Sequence, residues 1–172
     1  MKKIIILGYM GSGKSTIARL LHQKTGIKLA DTDKIIEEKA QLSVAEIFAT
    51  KGEIHFRKLE HDVFTELLAS DENLIISLGG GTPCYANNHE LLVGENRISI
   101  YLKASIDTLY DRISTNPNER PLVIGKSEEE MKEFIAKHLF DRSYYYNHSM
   151  HKINTDGKIP DEIVSEIEKL LA

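Results

Sequence analysis

The sequence predicts an α/β fold in which a parallel sheet is covered by helices on both faces. Short apolar runs bounded by glycine and polar residues, as expected of strands buried on both faces, recur along the chain. Segments with apolar residues at helical spacing follow them, the alternation that produces a parallel sheet. The first run, Lys3-Ile4-Ile5-Ile6-Leu7, leads directly into Gly8-Tyr9-Met10-Gly11-Ser12-Gly13-Lys14-Ser15. This stretch fits G-x-x-x-x-G-K-[ST], a phosphate-cradling loop that joins a strand to a helix. At 172 residues the chain has room for one compact domain with a substantial core.

The loop's glycines let backbone amides turn inward on a polyphosphate. Lys14 then reaches the outer phosphates, the Ser15 hydroxyl can hold magnesium, and the following helix adds its positive dipole end. Thr16 adds a hydroxyl near the α-phosphate. A nucleoside triphosphate is the expected ligand, held by Gly11, Ser12, Gly13, Lys14, Ser15 and Thr16. Residues 15–25 continue as an amphipathic helix through Ile17, Leu20 and Leu21, and Gly26 ends it. A short strand over 27–30 delivers Asp31-Thr32-Asp33 to its C-terminal end, the edge of an open parallel sheet where ligands sit. The two aspartates are spaced to project from one side of an extended segment, one toward a metal and the other toward a bound hydroxyl. Asp33 is equally suited to cap a helix opening at Lys34.

Ser43-Val44-Ala45-Glu46 is a capping box that opens a short helix through Phe48, interrupted by Gly52. A helix over 53–69 turns Phe56, Leu59, Val63 and Leu67 to the core. Arg57 and Glu60 lie on a different face, where an ordinary surface ion pair is the simpler reading. A third strand over 73–78 ends in Gly79-Gly80-Gly81-Thr82-Pro83. Three consecutive glycines suit either a close approach by a ligand or backbone, or a plain flexible turn. Cys84 reads as a small packed or half-exposed residue without chemical role.

Residues 97–102 form the fourth strand, and Ser105 caps a helix to about Ser114. The loop-like stretch over 115–126 contains Glu119-Arg120-Pro121-Leu122, and a mobile lid is its natural reading. Ser127-Glu128-Glu129-Glu130 opens a long helix with an acidic first turn. Arg142 sits near its end, followed by Ser143-Tyr144-Tyr145-Tyr146. An edge strand over 150–154 and a helix begun by Pro160 complete the pattern.

Composition narrows the function. With 22 Lys plus Arg against 26 Asp plus Glu, the net charge is -4, far from the dense basic field of a nucleic-acid binder. A small-molecule substrate is expected. The single cysteine allows no internal disulfide, no chelating Cys/His spacing appears, and a reducing compartment fits. Met1-Lys2-Lys3 runs straight into the first strand, and no apolar run approaches the ~18 residues of a membrane span. A soluble, cytoplasmic protein is the expectation. The loop alone would serve a switch or motor as well. The chain lacks room for most motors' extra modules and carries no Asn-Lys-x-Asp base-reading run, so a small-metabolite kinase is the economical class.

These residues, in this order, resemble the shikimate kinase family over nearly the full chain. The nucleotide loop at 8–15, the paired aspartates at 31 and 33, and the capping-box helix with Gly52-Glu53 and Phe56-Arg57-x-x-Glu60 each resemble a family motif. So do the triple glycine, Arg120-Pro121-Leu122, and Arg142 with Tyr146. The resemblance implies a P-loop NTPase of nucleoside monophosphate kinase type: a five-stranded parallel sheet flanked by helices, with a substrate-binding subregion about 33–60 and a lid about 112–126. It assigns Asp33 to substrate hydroxyls, Arg57 and Arg142 to the substrate carboxylate, and the Gly79, Gly80 and Gly81 amides to the same ligand, with Glu60 holding Arg57. The implied reaction moves the ATP γ-phosphoryl to the 3-hydroxyl of shikimate, in the pathway to aromatic amino acids. The resemblance further implies Mg2+ held by Ser15 directly and by Asp31 through water, Lys14 and Arg120 stabilising the transition state, and Asp33 as base or orienting group. Arg112 flanks adenine, with residues 154–156 opposite. Met150 stands where the family commonly has alanine, and lid length varies among relatives; both touch the adenine side. A monomer is the family expectation. Gluconate kinase and a non-catalytic nucleotide switch are the competing readings.

Overall fold

The computed structural model describes residues 1–115 and 125–172, and the expected lid, with Arg120, falls mostly outside them. Five strands, β1 (Lys3–Leu7), β2 (Lys28–Asp31), β3 (Leu74–Ser77), β4 (Arg97–Lys103) and β5 (His151–Asn154), pair in parallel in the order β2-β3-β1-β4-β5. The loop-bearing strand is therefore central. Between the strands run α1 (Lys14–Thr25), α2 (Thr32–Ala40), α3 (Val44–Lys51), α4 (Glu53–Ala69), α5 (Ile106–Thr115) and α6 (Glu128–Tyr146), and α7 (Pro160–Leu171) ends the chain. Two short 3-10 turns, Thr82–Cys84 and Asn88–Leu92, lie between β3 and β4.

β1 explains why the sheet must be covered twice. Its apolar residues alternate: Ile5 and Leu7 face α4, α5 and α6 through Phe64, Leu109, Ile113 and Ile135, while Ile4 and Ile6 face α1 and α7 through Ile17, Leu21, Val164 and Ile167. Period-two alternation with both sets apolar is what a doubly covered strand requires. A third cluster, Ile36, Ile47, Phe56 and Val63, packs α2, α3 and α4 together. This arrangement makes the segment expected to bind substrate a small helical unit with its own apolar packing.

The local signals placed most boundaries. The capping box at Ser43 is present, with Glu46 N–H donating to the Ser43 hydroxyl and Ser43 N–H donating to Glu46. Its helix continues three residues beyond Phe48, to Lys51, before Gly52 turns the chain. The helix after β2 begins at Thr32, two residues before Lys34. Its N-cap is Asp31, which accepts from Lys34 N–H at 3.2 Å. Among the described residues no helix is long and apolar enough to cross a membrane.

Candidate active site

The C-terminal edge of the sheet gathers the site at its centre, where the connections from β1, β2 and β3 emerge side by side. In the loop, Gly11 and Gly13 have φ of 81° and 96°, the left-handed region that favours glycine, which lets the chain enter α1 with its amides turned inward. Lys14 folds back over the loop, donating from Nζ to Gly8 O at 2.7 Å and Tyr9 O at 3.1 Å. Ser12 is buried, and its hydroxyl has no described hydrogen-bond partner.

Asp31 and Asp33 are separated by a strand-to-helix junction, so the expectation of one extended segment is corrected. Asp31 ends β2 and caps α2; Asp33 lies in the first turn of α2, where it is not the cap. Both line one cavity of about 260 Å3 together with Lys14, Ser15, Gly79 and Gly80. Burial pushes the Asp33 carboxyl up to about 6, reinforced by the Glu60 and Asp31 charges and partly offset by Lys14. Thr32 between them ties the junction to β3: its hydroxyl accepts from Gly79 N–H at 3.1 Å and donates to Ser77 O.

The triple glycine is a site of close approach, because each member is pressed by a different polar side chain. A Cβ on Gly79 would stand 2.8 Å from Asp33 Oδ1, one on Gly80 3.2 Å from Arg142 Nη1, and one on Gly81 2.6 Å from Arg57 Nη1. Three glycines thus bring a carboxylate and two guanidinium groups onto one short stretch of backbone. Tyr146, fully buried at the end of α6, donates to Gly80 O at 2.6 Å and fastens that stretch to the helix bearing Arg142.

Arg57 and Glu60 are not a surface pair. Glu60 is 1% exposed; one oxygen accepts from Arg57 Nη1 at 2.9 Å and the other from the Thr82 hydroxyl at 2.7 Å. The helical spacing alone left the pair's face ambiguous. The turn after the glycines covers it, and no local pattern announces that. Cys84 is half-buried, and burial pushes its thiol up to about 11, which keeps it protonated.

On the other side of the loop, a cavity of about 290 Å3 is lined by Ser12, Gly13, Thr16, Arg112, Lys158 and Pro160, among others. Arg112 braces the loop, donating from Nη1 to Gly11 O and Ser12 O at 3.3 and 3.2 Å and reaching Thr155 Oγ1 at 3.4 Å. Asp156 accepts from Ser105 N–H and joins the ends of β4 and β5. Sequence reasoning missed Lys158 and Pro160 as lining groups, although they follow the end of a predicted edge strand. It also missed Tyr9 and Tyr85: Tyr9 lies under the Arg142 guanidinium at 5.8 Å, and the Tyr85 ring lies 3.8 Å from Arg57 Cζ. For Tyr85 the only signal was an aromatic residue soon after the glycines.

A phosphate loop at the head of a central parallel strand, sharing its cavity with a half-buried carboxylate and with the start of a glycine stretch that two arginines abut, defines a P-loop protein built to hold a phosphorylated nucleotide against a second small ligand. The comparisons are narrower. The shikimate kinase family model matches residues 10–172, and the chain belongs to the shikimate kinase family. It is 60% identical over 172 residues to the shikimate kinase of Flavobacterium johnsoniae, with 100% of both chains covered, and 50% identical to that of Flavobacterium psychrophilum, with 99% of each covered. The crystal structure of shikimate kinase from Bacteroides thetaiotaomicron superposes with a TM-score of 0.90 at 31% identity, covering 99% of this chain and 98% of that one. The shikimate kinase from Acinetobacter baumannii in complex with shikimate gives 0.86 at 28% identity, covering 99% and 93%.

Proposed function

We propose that this chain transfers the γ-phosphoryl group of ATP to the 3-hydroxyl of shikimate, forming shikimate 3-phosphate and ADP. One observation carries the reading beyond family membership: Asp33, Arg142 and Arg57 each abut one member of the triple glycine, whose first two members line the phosphate-loop cavity with Asp33, while Arg57 lines a separate groove. A ring bearing hydroxyls and a carboxylate needs that combination. Planar guanidinium forks grip the acid, a carboxylate accepts from a hydroxyl, and bare backbone permits close approach.

The assigned roles follow from charge and position. Lys14 binds the outer phosphates and stabilises the charge that spreads over the moving phosphoryl oxygens, assisted by Arg120, which lies outside the described residues. The loop from Gly11 to Thr16 holds the triphosphate, and Arg112 flanks the adenine beside Lys158 and Pro160. Asp33 accepts a hydrogen bond from the acceptor hydroxyl and orients it; a loose transition state demands little early proton removal. Arg57 and Arg142 bind the carboxylate, with Gly79, Gly80 and Gly81 against the same ligand.

The donor set fits magnesium. The Ser15 hydroxyl and the Asp31 carboxylate are hard oxygen ligands lining the cavity that contains Lys14, and Mg2+ at such sites takes only one or two protein ligands, the rest coming from phosphates and water. When bound with ATP it neutralises charge across the terminal phosphates. The chain works as a single kinase domain, a cytoplasmic monomer, with its substrate-binding subregion about 33–60 and its lid about 112–126.

A coupled assay of ADP release tests the reading. Shikimate stimulates turnover, and Arg57→Ala or Arg142→Ala raises KM for shikimate more than it lowers kcat, since both arginines bind the acid in ground and transition states alike. Stimulation by gluconate or a nucleoside monophosphate, with shikimate inert, overturns it.

A further inference from the structure

We propose that Tyr85 is a positioning residue that sets the plane of the Arg57 guanidinium for the substrate carboxylate; this rests on the shikimate reading above. Four contacts define where that guanidinium lies, the loosest being the exposed Glu53 carboxylate 3.7 Å from Nε. Glu60 takes Nη1 at 2.9 Å and fixes its direction within the plane. Gly81 closes one side so tightly that a Cβ there would meet Nη1, Nη2 and Cζ at 2.6, 2.9 and 3.1 Å. The Tyr85 ring centroid lies 3.8 Å from Cζ, much nearer than the other aromatic neighbours, Phe56 at 5.3 Å and Phe48 at 5.8 Å.

These contacts are not redundant. A hydrogen bond to one carboxylate oxygen constrains direction but leaves the fork free to roll about that bond, whereas an aromatic face packed on the guanidinium opposes rolling. Recognition of a carboxylate by two parallel N–H···O bonds requires a defined plane, so a rolled fork keeps its charge and loses its geometry. Glu60 cannot supply this constraint, because its second oxygen is already held by Thr82. Tyr85 is itself 37% exposed, at the rim of the groove containing Glu53, Arg57 and His61. Removing its ring therefore changes Arg57's surroundings without opening the core.

The structure also explains why Tyr85 is well placed. The turn Thr82–Cys84 starts at the last of the three glycines, with Thr82 anchored on Glu60, and its C-cap is Tyr85 in extended conformation. The glycines that admit the substrate and the ring that orients its arginine are therefore parts of one continuous segment, fastened through Glu60 to the helix that bears Arg57.

Steady-state kinetics on Tyr85→Ala, Tyr85→Leu and Tyr85→Phe, and on Tyr85→Ala in an Arg57→Ala background, test this. Tyr85→Ala raises KM for shikimate about 3- to 30-fold, the span of cation–π strengths from exposed to desolvated sites, with kcat, KM for ATP and Tm near wild type. Tyr85→Leu, which keeps apolar cover without a π face, shows the same defect, and Tyr85→Phe rescues it. In the Arg57→Ala background the second substitution adds nothing, because the ring acts through Arg57. Unchanged KM in Tyr85→Ala, additive effects in the double variant, or full rescue by leucine overturns the proposal while leaving the substrate reading intact. Wild-type protein inert toward shikimate overturns that reading and this proposal with it.

Discussion

Asp33→Asn makes the free protein more stable and inactive, and the stability gain fades with acidity. The Asp33 carboxyl is held up to about 6 against an ordinary 3.8, chiefly by burial and then by the Glu60 and Asp31 charges. Because its pKa is raised on folding, the native protein binds that proton more tightly than the unfolded chain does. The ionised group therefore costs stability above about pH 6, and the cost is relieved as pH falls from 6 toward 4. Raising the carboxyl from 3.8 to about 6 corresponds to at most about 3 kcal/mol, which for a chain of this length is about 6–12 °C in Tm. Asparagine keeps the side chain's shape and removes the charge. Thermal or urea denaturation of both proteins without ligands, at about pH 8 and about pH 5, reads the effect: the gain at the lower pH is about half that at the higher. Comparing the two proteins at each pH cancels the titration of every other group. No gain at high pH, or a gain of the same size at both, refutes the account of Asp33 as a carboxylate held ionised against its surroundings. Loss of turnover in the same variant shows what that unfavourable charge is for.

Two further substitutions probe the glycine segment. Gly79→Ala places a methyl group 2.8 Å from Asp33 Oδ1 and 3.2 Å from both Glu60 Oε2 and Thr82 Oγ1. Misplacing the carboxylate proposed to orient the acceptor by a fraction of an ångström lowers kcat by about 10- to 100-fold, checked by turnover at saturating shikimate. Tyr146→Phe leaves Gly80 O without its 2.6 Å donor in a buried setting, a loss of about 1–3 kcal/mol in denaturation. It also raises KM for shikimate, because Gly80 is the surface against which Arg142 rests.

The two halves of the site differed in how openly the sequence declared them. The nucleotide side was legible because a phosphate loop is a local object. Its glycines, lysine and serine are contiguous, and the backbone conformations that make it work belong to those same residues. The acceptor side is assembled from contacts across long separations. Thr82 reaches Glu60 across 22 positions, Gly79 reaches Thr32 across 47, and Tyr146 reaches Gly80 across 66. Spacing within α4 could bring Arg57 and Glu60 together, yet it could not say whether water or a turn covers them, and that decides whether the pair is incidental or rigid. Asp33 posed the same difficulty on a smaller scale. Capping and ligand binding demand the same residue type, and a two-residue shift in where α2 begins gave the cap to Asp31 and freed Asp33 for the cavity.

The sequence by itself determined the class of fold and the phosphate loop. Strand periodicity, caps and glycine turns are short-range preferences of the backbone, and they act wherever the segment is placed. Only the tertiary structure decided that the loop-bearing strand stands at the centre of the sheet, that Glu60 is enclosed, and that Tyr85 lies on Arg57. Those outcomes depend on which distant segments share a volume, and the crossing connections and the two buried faces of the sheet settle that together.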